Sequence, residues 1–314
     1  MVEIIVKVVT IFSMIGIGYV LNRNNILPKE ANDYLIKLLL LVFAPCMCLQ
    51  AMAAAELNDK IFSATMETII FSAIYVIIAM GVGYLLIRKF KEKLGDNASV
   101  YMALFTGMNS GFMGFPVTKA VFGDQLFYFM VIQNIVLNLY LYVVMPIQLS
   151  FDEIHNMSLK KFLRSFINMC TIAAFIGMIM LFSGHHFPDA VDNWLKMIGD
   201  ATIPVSMIVV GVELGQSKIR EIVKNKILML TILAKQFAMP ALTFLLVNWL
   251  PISVEAKITV IFAACFPPAV VTVAMSYQEG KDSTIAAQGV AFGSLISMAT
   301  ISLCAMFIKL YYLS

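Results

Sequence analysis

The sequence predicts an all-α membrane protein of ten transmembrane helices, arranged as two inverted five-helix repeats with crossing, broken helices at spans four and nine. Three observations lead there. Of 314 residues, 61% are hydrophobic and 13% charged, with mean hydropathy +0.88, whereas soluble domains carry about a quarter charged residues. Apolar stretches of membrane-crossing length follow one another with only short polar connections between them. The second half of the chain then echoes the first in the order of its polar and proline residues.

At about 20 apolar residues per crossing, the spans fall near 4 to 21, 34 to 52, 66 to 87, 100 to 122, 126 to 149, 166 to 182, 197 to 214, 227 to 249, 258 to 277 and 284 to 307. The first run is long enough to span, and no small-residue cleavage site follows it, so it counts as a helix. Lys and Arg divide unequally between alternate connections. One set, from Arg23 and Lys29 through Arg88, Lys160 and Lys218 to Lys281, holds fourteen; the other, Lys60, Lys196, Lys257 and Lys309, holds four. The richer set belongs on the cytoplasmic side, which places both termini outside a multi-pass protein of the cell inner (plasma) membrane. Lys7, Lys37 and Lys119 lie near span ends, where a long stem can snorkel to the interface.

Asp33, Lys37 and Pro45 recur as Asp192, Lys196 and Pro204, each 159 residues later, in DYLIKLLLLVFAP and DNWLKMIGDATIP. Pro28 to Pro188, Gly123 to Gly280 and Gln133 to Gln288 continue the series at 160, 157 and 155. The repeats are therefore residues 1–150 and 151–314. Five spans is an odd number, so the second copy enters the membrane from the opposite side, the inverted topology found in many secondary transporters.

Span four contains GMNSGFMGFPVTKAVFG, Gly107 to Gly123. In hydrocarbon an unpaired N–H or C=O costs several kcal/mol, so irregular backbone survives there only when packed in protein or lining a watery cavity. Asn109, Ser110, Gly111, Gly114 and Pro116 concentrate polar groups, loose backbone and a lost donor in one stretch. The segment reads either as an ordinary proline kink or as a helix broken from Met108 to Pro116 beside a site. The equivalent stretch of the second repeat reads CFPPAVVT, where Pro267 and Pro268 interrupt span nine. Two corresponding interruptions favour the site.

Broken helices aim half-helix ends at the midplane, and N-terminal ends carry free N–H groups and partial positive charge. Such ends suit a carboxylate, with Asn109 and Ser110 adding neutral donors. Span five follows after a short turn and carries Gln133, Asn134 and Asn138. Gln133 and Asn134 are about 100° apart on a helix and cannot both face the break. Gln133, with its repeat partner Gln288, is the first candidate and Asn138 the second; the competing role is interhelical amide hydrogen bonding. Lys235 lies eight residues inside span eight, about 12 Å along at 1.5 Å per residue. A midplane ammonium is a substrate counter-charge, a permanent occupant of a cation position, or a snorkelling side chain. Glu67 and Glu213 read as interfacial, and no span carries a central carboxylate.

Several classes are disfavoured. Net charge is +3 with no basic and aromatic cluster, so no nucleic-acid surface is expected. Cys46, Cys48, Cys170, Cys265 and Cys304 show neither CxxC nor metal spacing and read as small buried hydrophobes. His155, His185 and His186 all fall in connections, so no metal site is expected, and no cofactor motif appears. No span holds a nucleophile and base pair or an HExxH motif, which argues against an enzyme.

With both interruptions in hand, the chain resembles the auxin efflux carrier family, which includes plant auxin exporters and bacterial permeases assigned to malonate or malate. The most specific stretches are NSGFMGFPVTKAVFG at 109 to 123, FPPAVVTVAMSYQ, GVAFGSLIS at 289 to 297, and VFAP at 42 to 45. The resemblance implies a scaffold domain from spans one, two, six and seven, and a transport domain from spans three to five and eight to ten. It also implies elevator-like movement, a homodimer, and an anion site where spans four and nine cross. By position, Asn109 and Gln133 look like substrate contacts, Asn138 stands where plant members place a tyrosine, and Pro116 and Pro267 look like the crossover prolines. Departures are the short connection between spans five and six, Thr272 in place of a second proline, and Met66 and Glu67 near the plant span-three aspartate. The first argues against plant-type regulation; the others leave auxin and the coupling mode unassigned.

The expected function is secondary transport of a small organic anion, a mono- or dicarboxylate, by a homodimer in the lipid bilayer. The alternatives are a sodium-coupled symporter of the bile-acid type and a membrane sensor that binds a ligand without moving it.

Overall fold

Proline sets the texture of these helices. In the computed structural model, which describes residues 2–53, 58–149, 169–184, 187–217 and 222–313, a widened π turn ends two residues before each of four prolines. Leu39–Phe43 comes before Pro45, Ser110–Gly114 before Pro116, Tyr140–Val144 before Pro146 and Ala234–Ala238 before Pro240. A helical proline has no N–H to donate and collides with the carbonyl four residues earlier. One extra residue in the turn moves that carbonyl aside, so the helix continues through the proline.

The described residues are helical with no strand. In chain order, α1 is Val2–Arg23, α2 Lys29–Leu38, α3 Ala44–Ala53, α4 Asp59–Arg88, α5 Lys91–Leu94, α6 Ala98–Thr106, α7 Phe115–Phe122, α8 Asp124–Leu139 and α9 Met145–Leu149. The later helices are α10 Met169–Ser183, α11 Asp189–Asp200, α12 Thr202–Gln216, α13 Lys226–Leu233, α14 Met239–Val247, α15 Val254–Ala264, α16 Val271–Gln278 and α17 Ser283–Tyr312. Among the described residues, six helical stretches are long and apolar enough to cross a membrane: Glu30–Ala53, Asp59–Arg88, Asp124–Leu149, Asp189–Gln216, Lys226–Val247 and Ser283–Tyr312. Val9–Arg23 and Met169–Ser183 are shorter apolar helices. The stretches around spans four and nine are each divided into two short helices, α6 with α7 and α15 with α16. His155, His185, His186, Lys218 and Arg220 lie outside the described residues.

The chain divides into two units. The first comprises Met1–Met66, Gly111–Ile132 and Ile167–Gln216. Its helices approach on small residues, as membrane helices do where backbones must come close. A Cβ added at Gly18 of α1 would overlap the Ile208 carbonyl oxygen of α12, and one at Gly211 of α12 would overlap that of Ile15. Gly199 of α11 abuts the Met47 backbone, with Met47 Cα 2.9 Å from where a Cβ would stand. Lys119, expected to snorkel, instead has its Nζ 3.6 Å from Asp124 and 3.5 Å from Asp200. Two carboxylates within ion-pair reach, together with the Phe127 ring 5.7 Å away, hold that ammonium inside the protein surface.

The second unit comprises Glu67–Ser110, Gln133–Phe166 and Ser217–Ser314. Tyr101 of α6 is tied to the start of α13, because Asn225 Nδ2 donates to its hydroxyl at 2.8 Å while Asn225 Oδ1 caps α13 by accepting from Leu228 N at 3.0 Å. Glu67 is more than an interfacial charge. Its carboxylate accepts from the Ser253 amide at 2.8 Å, and Ser253 is the N-cap of α15, so a negative charge sits where the helix start is positive.

Candidate functional site

Both interruptions are real breaks, and within the second unit they meet. α6 stops at Thr106; Gly107 N–H still donates to Ala103 O at 2.9 Å but the backbone turns extended there, and the chain runs out of helix to Asn109 before the π turn Ser110–Gly114 restarts it. The break is thus earlier than Met108 to Pro116: Pro116 lies inside α7, where the π turn Ser110–Gly114 before it makes room for the ring. At the second break α15 closes with tightened turns, Cys265 N to Phe262 O at 3.0 Å and Phe266 N to Ala263 O at 3.1 Å. Pro267 and Pro268 follow, unable to donate, and α16 resumes at Val271.

The carbonyl that the prolines leave over finds its partner across the break. Asn109 N–H donates to Pro267 O at 2.9 Å, so each interruption satisfies the other, as buried backbone must. Asn109, Ser110, Pro267 and Pro268 are all buried. Gly111 and Pro116 belong to the first unit; Pro116 is buried, and a Cβ at Gly111 would meet no heavy atom within 4 Å.

Span five resolves its choice of face. Gln133 is buried and its Nε2 donates to Met108 Sδ at 3.8 Å, which turns it to the first break. Asn138 is half-buried and donates through Nδ2 to Asn134 Oδ1 at 3.3 Å. The interhelical amide role is therefore not the one Asn138 plays in this bond, which lies within α8. Gln288 is half-buried in the second turn of α17 and makes no hydrogen bond with the breaks among the described residues.

Lys235 does not snorkel. Its side chain is fully buried in the π turn Ala234–Ala238, and Nζ donates to Phe105 O at 3.1 Å. Phe105 is the last residue but one of α6, so this carbonyl is among those a helix end leaves without an intrahelical partner. Gln236, the next residue, sends Nε2 to Gly293 O at 3.1 Å and accepts from Thr300 Oγ1 at 3.4 Å. Gly293 is where α17 presses on the second break, since a Cβ there would overlap Pro268 Cδ and stand 3.2 Å from Cγ.

Several buried polar atoms of this unit have no hydrogen-bond partner among the described residues: Ser110 Oγ, Gln133 Oε1, Thr272 Oγ1, Ser276 Oγ and Ser294 Oγ. Most buried polar groups in proteins are satisfied, so this set is a chemical surplus that a polar ligand can use. Thr272 and Ser276 share one face of α16 at i and i+4, a signal present in the sequence. Gln236 and Ser294 were also missed, because single amides and hydroxyls in apolar helices resemble packing residues. Among the described residues no cluster of His, Cys, Asp or Glu could hold a metal ion. The five cysteines are free, and Cys46, Cys170 and Cys304 are only half-buried, less enclosed than expected.

A multi-pass helical membrane protein whose two interrupted helices join backbone to backbone, with surplus buried polar groups around the joint, has the makings of a transport protein. Residues 3–305 match the family described as membrane transport protein, and the chain belongs to that family, the auxin efflux carrier family. No curated protein matches the chain.

Proposed function

We propose that the protein is a secondary carrier for a small organic anion, a mono- or dicarboxylate such as malonate or malate, bound where the interruptions of spans four and nine meet. The observation that carries this reading is the Asn109 N–H to Pro267 O bond at 2.9 Å. It brings together two breaks 158 residues apart in sequence, Asn109 and Pro267, at the place where inverted-repeat transporters bind substrate.

On this reading Asn109, Ser110 and Gln133 hydrogen-bond the carboxylate, helped by the partial positive charge at the start of α16. Pro267 and Pro268 keep the half-helices of the second break apart. Asn138 and Gln288 line the approach, and the buried ammonium of Lys235 supplies a positive field. Spans one, two, six and seven form the scaffold of a homodimer, and spans three to five and eight to ten carry the anion by elevator-type alternating access. Ten crossings in two inverted sets of five, with both termini outside the inner membrane, complete the proposal.

The test is uptake of labelled malonate and malate into proteoliposomes containing purified protein, with thermal stabilisation by the same acids measured alongside. Saturable uptake is expected. Stabilisation without any flux would identify a sensor and overturn the carrier.

A further inference from the structure

We infer that the ion pair between Lys119 and Asp200 is a latch on one side of the carrier, holding the second half of span four against the scaffold until the moving part leaves. This deepens the carrier reading given above and rests on its division into scaffold and transport spans.

The three charges involved all lie in the first unit. Lys119 stands in the last turn of α7 and Asp124 in the first turn of α8, with Gly123 at φ +83° turning the chain between them. Each charge suits its own helix end, the cation at a C-terminus and the anion at an N-terminus. Asp200 ends α11, in a different span. Lys119 Nζ is 3.6 Å from Asp124 and 3.5 Å from Asp200, so one ammonium is shared between a carboxylate of its own hairpin and one of span seven. The lysine side chain is enclosed, 13% exposed, whereas those of Asp124 and Asp200 are 72% and 50% exposed. α7 itself packs on α1 and α12, helices of the proposed scaffold. When α7 slides along α12, Lys119 loses Asp200 but keeps Asp124, so the ammonium is never stripped of a counter-charge. A water-exposed pair of this kind is weak enough to open in every cycle.

The other repeat has no equivalent. At the 157-residue offset that relates Gly123 to Gly280, Lys119 corresponds to Ser276; at the 159-residue offset that relates Pro45 to Pro204, Asp200 corresponds to Leu41. A serine and a leucine form no ion pair. Inverted repeats make the two ends of a transport cycle near copies of one another, and a contact present at one end only tilts the balance between them. For an exposed ion pair the tilt is about two- to fivefold. With the orientation read from Lys and Arg, both residues lie toward the outer face, so the latch favours the state in which the outer ends of spans four and seven are together.

The experiment joins Lys119→Cys to Asp200→Cys, and in a second protein Lys119→Cys to Asp124→Cys, with a short, reducible, bifunctional thiol reagent. Wild type is treated alongside, because its own cysteines are free. Tethering 119 to 200 is expected to stop malonate uptake, to leave malonate binding measurable by calorimetry, and to release uptake on reduction. Tethering 119 to 124, which travel together, should leave uptake as it was before the reagent. Uptake that survives the first tether, or is stopped by both, overturns the latch. Amide hydrogen exchange of the purified full-length protein adds a measurement that needs no flux. Asp200→Asn should speed exchange in α7 and α12 together by about two- to fivefold, and Asp124→Asn should leave it at the wild-type rate. Unchanged exchange in Asp200→Asn, or equal acceleration in both variants, also overturns the latch. Because exchange is read without transport, wild type that carries no malonate would sink the carrier reading alone.

Discussion

Gly293→Ala tests whether the tight seat of α17 on the second break sets the geometry of the site. The added methyl would overlap Pro268 Cδ, lie 3.2 Å from Pro268 Cγ and 3.5 Å from Pro267 Cβ. Carbon atoms rest at about 3.5–4.0 Å, so something must shift by on the order of an ångström. Proline rings cannot rotate away, and α17 is held at this very residue by Gln236 on Gly293 O. Either that hydrogen bond stretches or Pro267 O moves off Asn109 N. Overpacking of this kind costs about 1–3 kcal/mol, and when it falls on the binding-competent geometry the affinity drops about 5- to 150-fold. Calorimetric titration with malonate, beside a melting curve, reads both. Gly81→Ala in α4, where an added Cβ meets nothing within 4 Å, is the control for substitution itself. Wild-type affinity and stability in Gly293→Ala would refute the argument that close packing at Pro268 positions the break.

Three more expectations are simpler. Asn109→Ala keeps the backbone N–H that bonds Pro267 O, so the protein should insert and melt as wild type while malonate binding is lost; unchanged uptake would remove the Asn109 amide from the site. Gly18→Ala should destabilise by about 1–3 kcal/mol or prevent purification, because a Cβ there overlaps Ile208 O, while Gly16→Ala, with nothing within 4 Å, should melt within a degree or so of wild type. Gln236→Leu leaves Gly293 O without its side-chain donor in a buried setting, a loss of about 1–3 kcal/mol, seen as a lowered melting temperature.

How much of this was legible in the sequence depends on whether a signal is local. The breaks were, because glycine, asparagine and paired prolines inside an apolar run loosen or unpair the backbone exactly where hydrocarbon offers no water to compensate. Even so, sequence put the first interruption too late: Pro116 catches the eye, but the π turn before it takes in the ring without a break, and the chain departs from helix at Gly107. Gln133 was separated from Asn134 by helical periodicity together with its partner in the second repeat. The partner of Lys235 was beyond reach, since depth along a span says nothing about which neighbour's carbonyl, here that of Phe105, receives its Nζ. Glu67 on Ser253, 186 residues away, and the glycine seat of α1 on α12 were hidden for the same reason. Prolines 45, 146 and 240 gave no hint of how the backbone would receive them, because kink and π turn share one sequence signature.

The joint between the two breaks, Asn109 N–H to Pro267 O, is made by peptide atoms. An alanine scan across residues 107–110 and 265–270 would therefore pass over it in silence, since every such variant except a proline at 109 still carries the amide, and every residue carries the carbonyl. Inheritance can vary side chains on both strands of this knot without untying it, which leaves ligand preference free to drift while the framework persists. To cut the knot chemically, the amide itself must go, by Asn109→Pro or by an ester in place of that peptide bond.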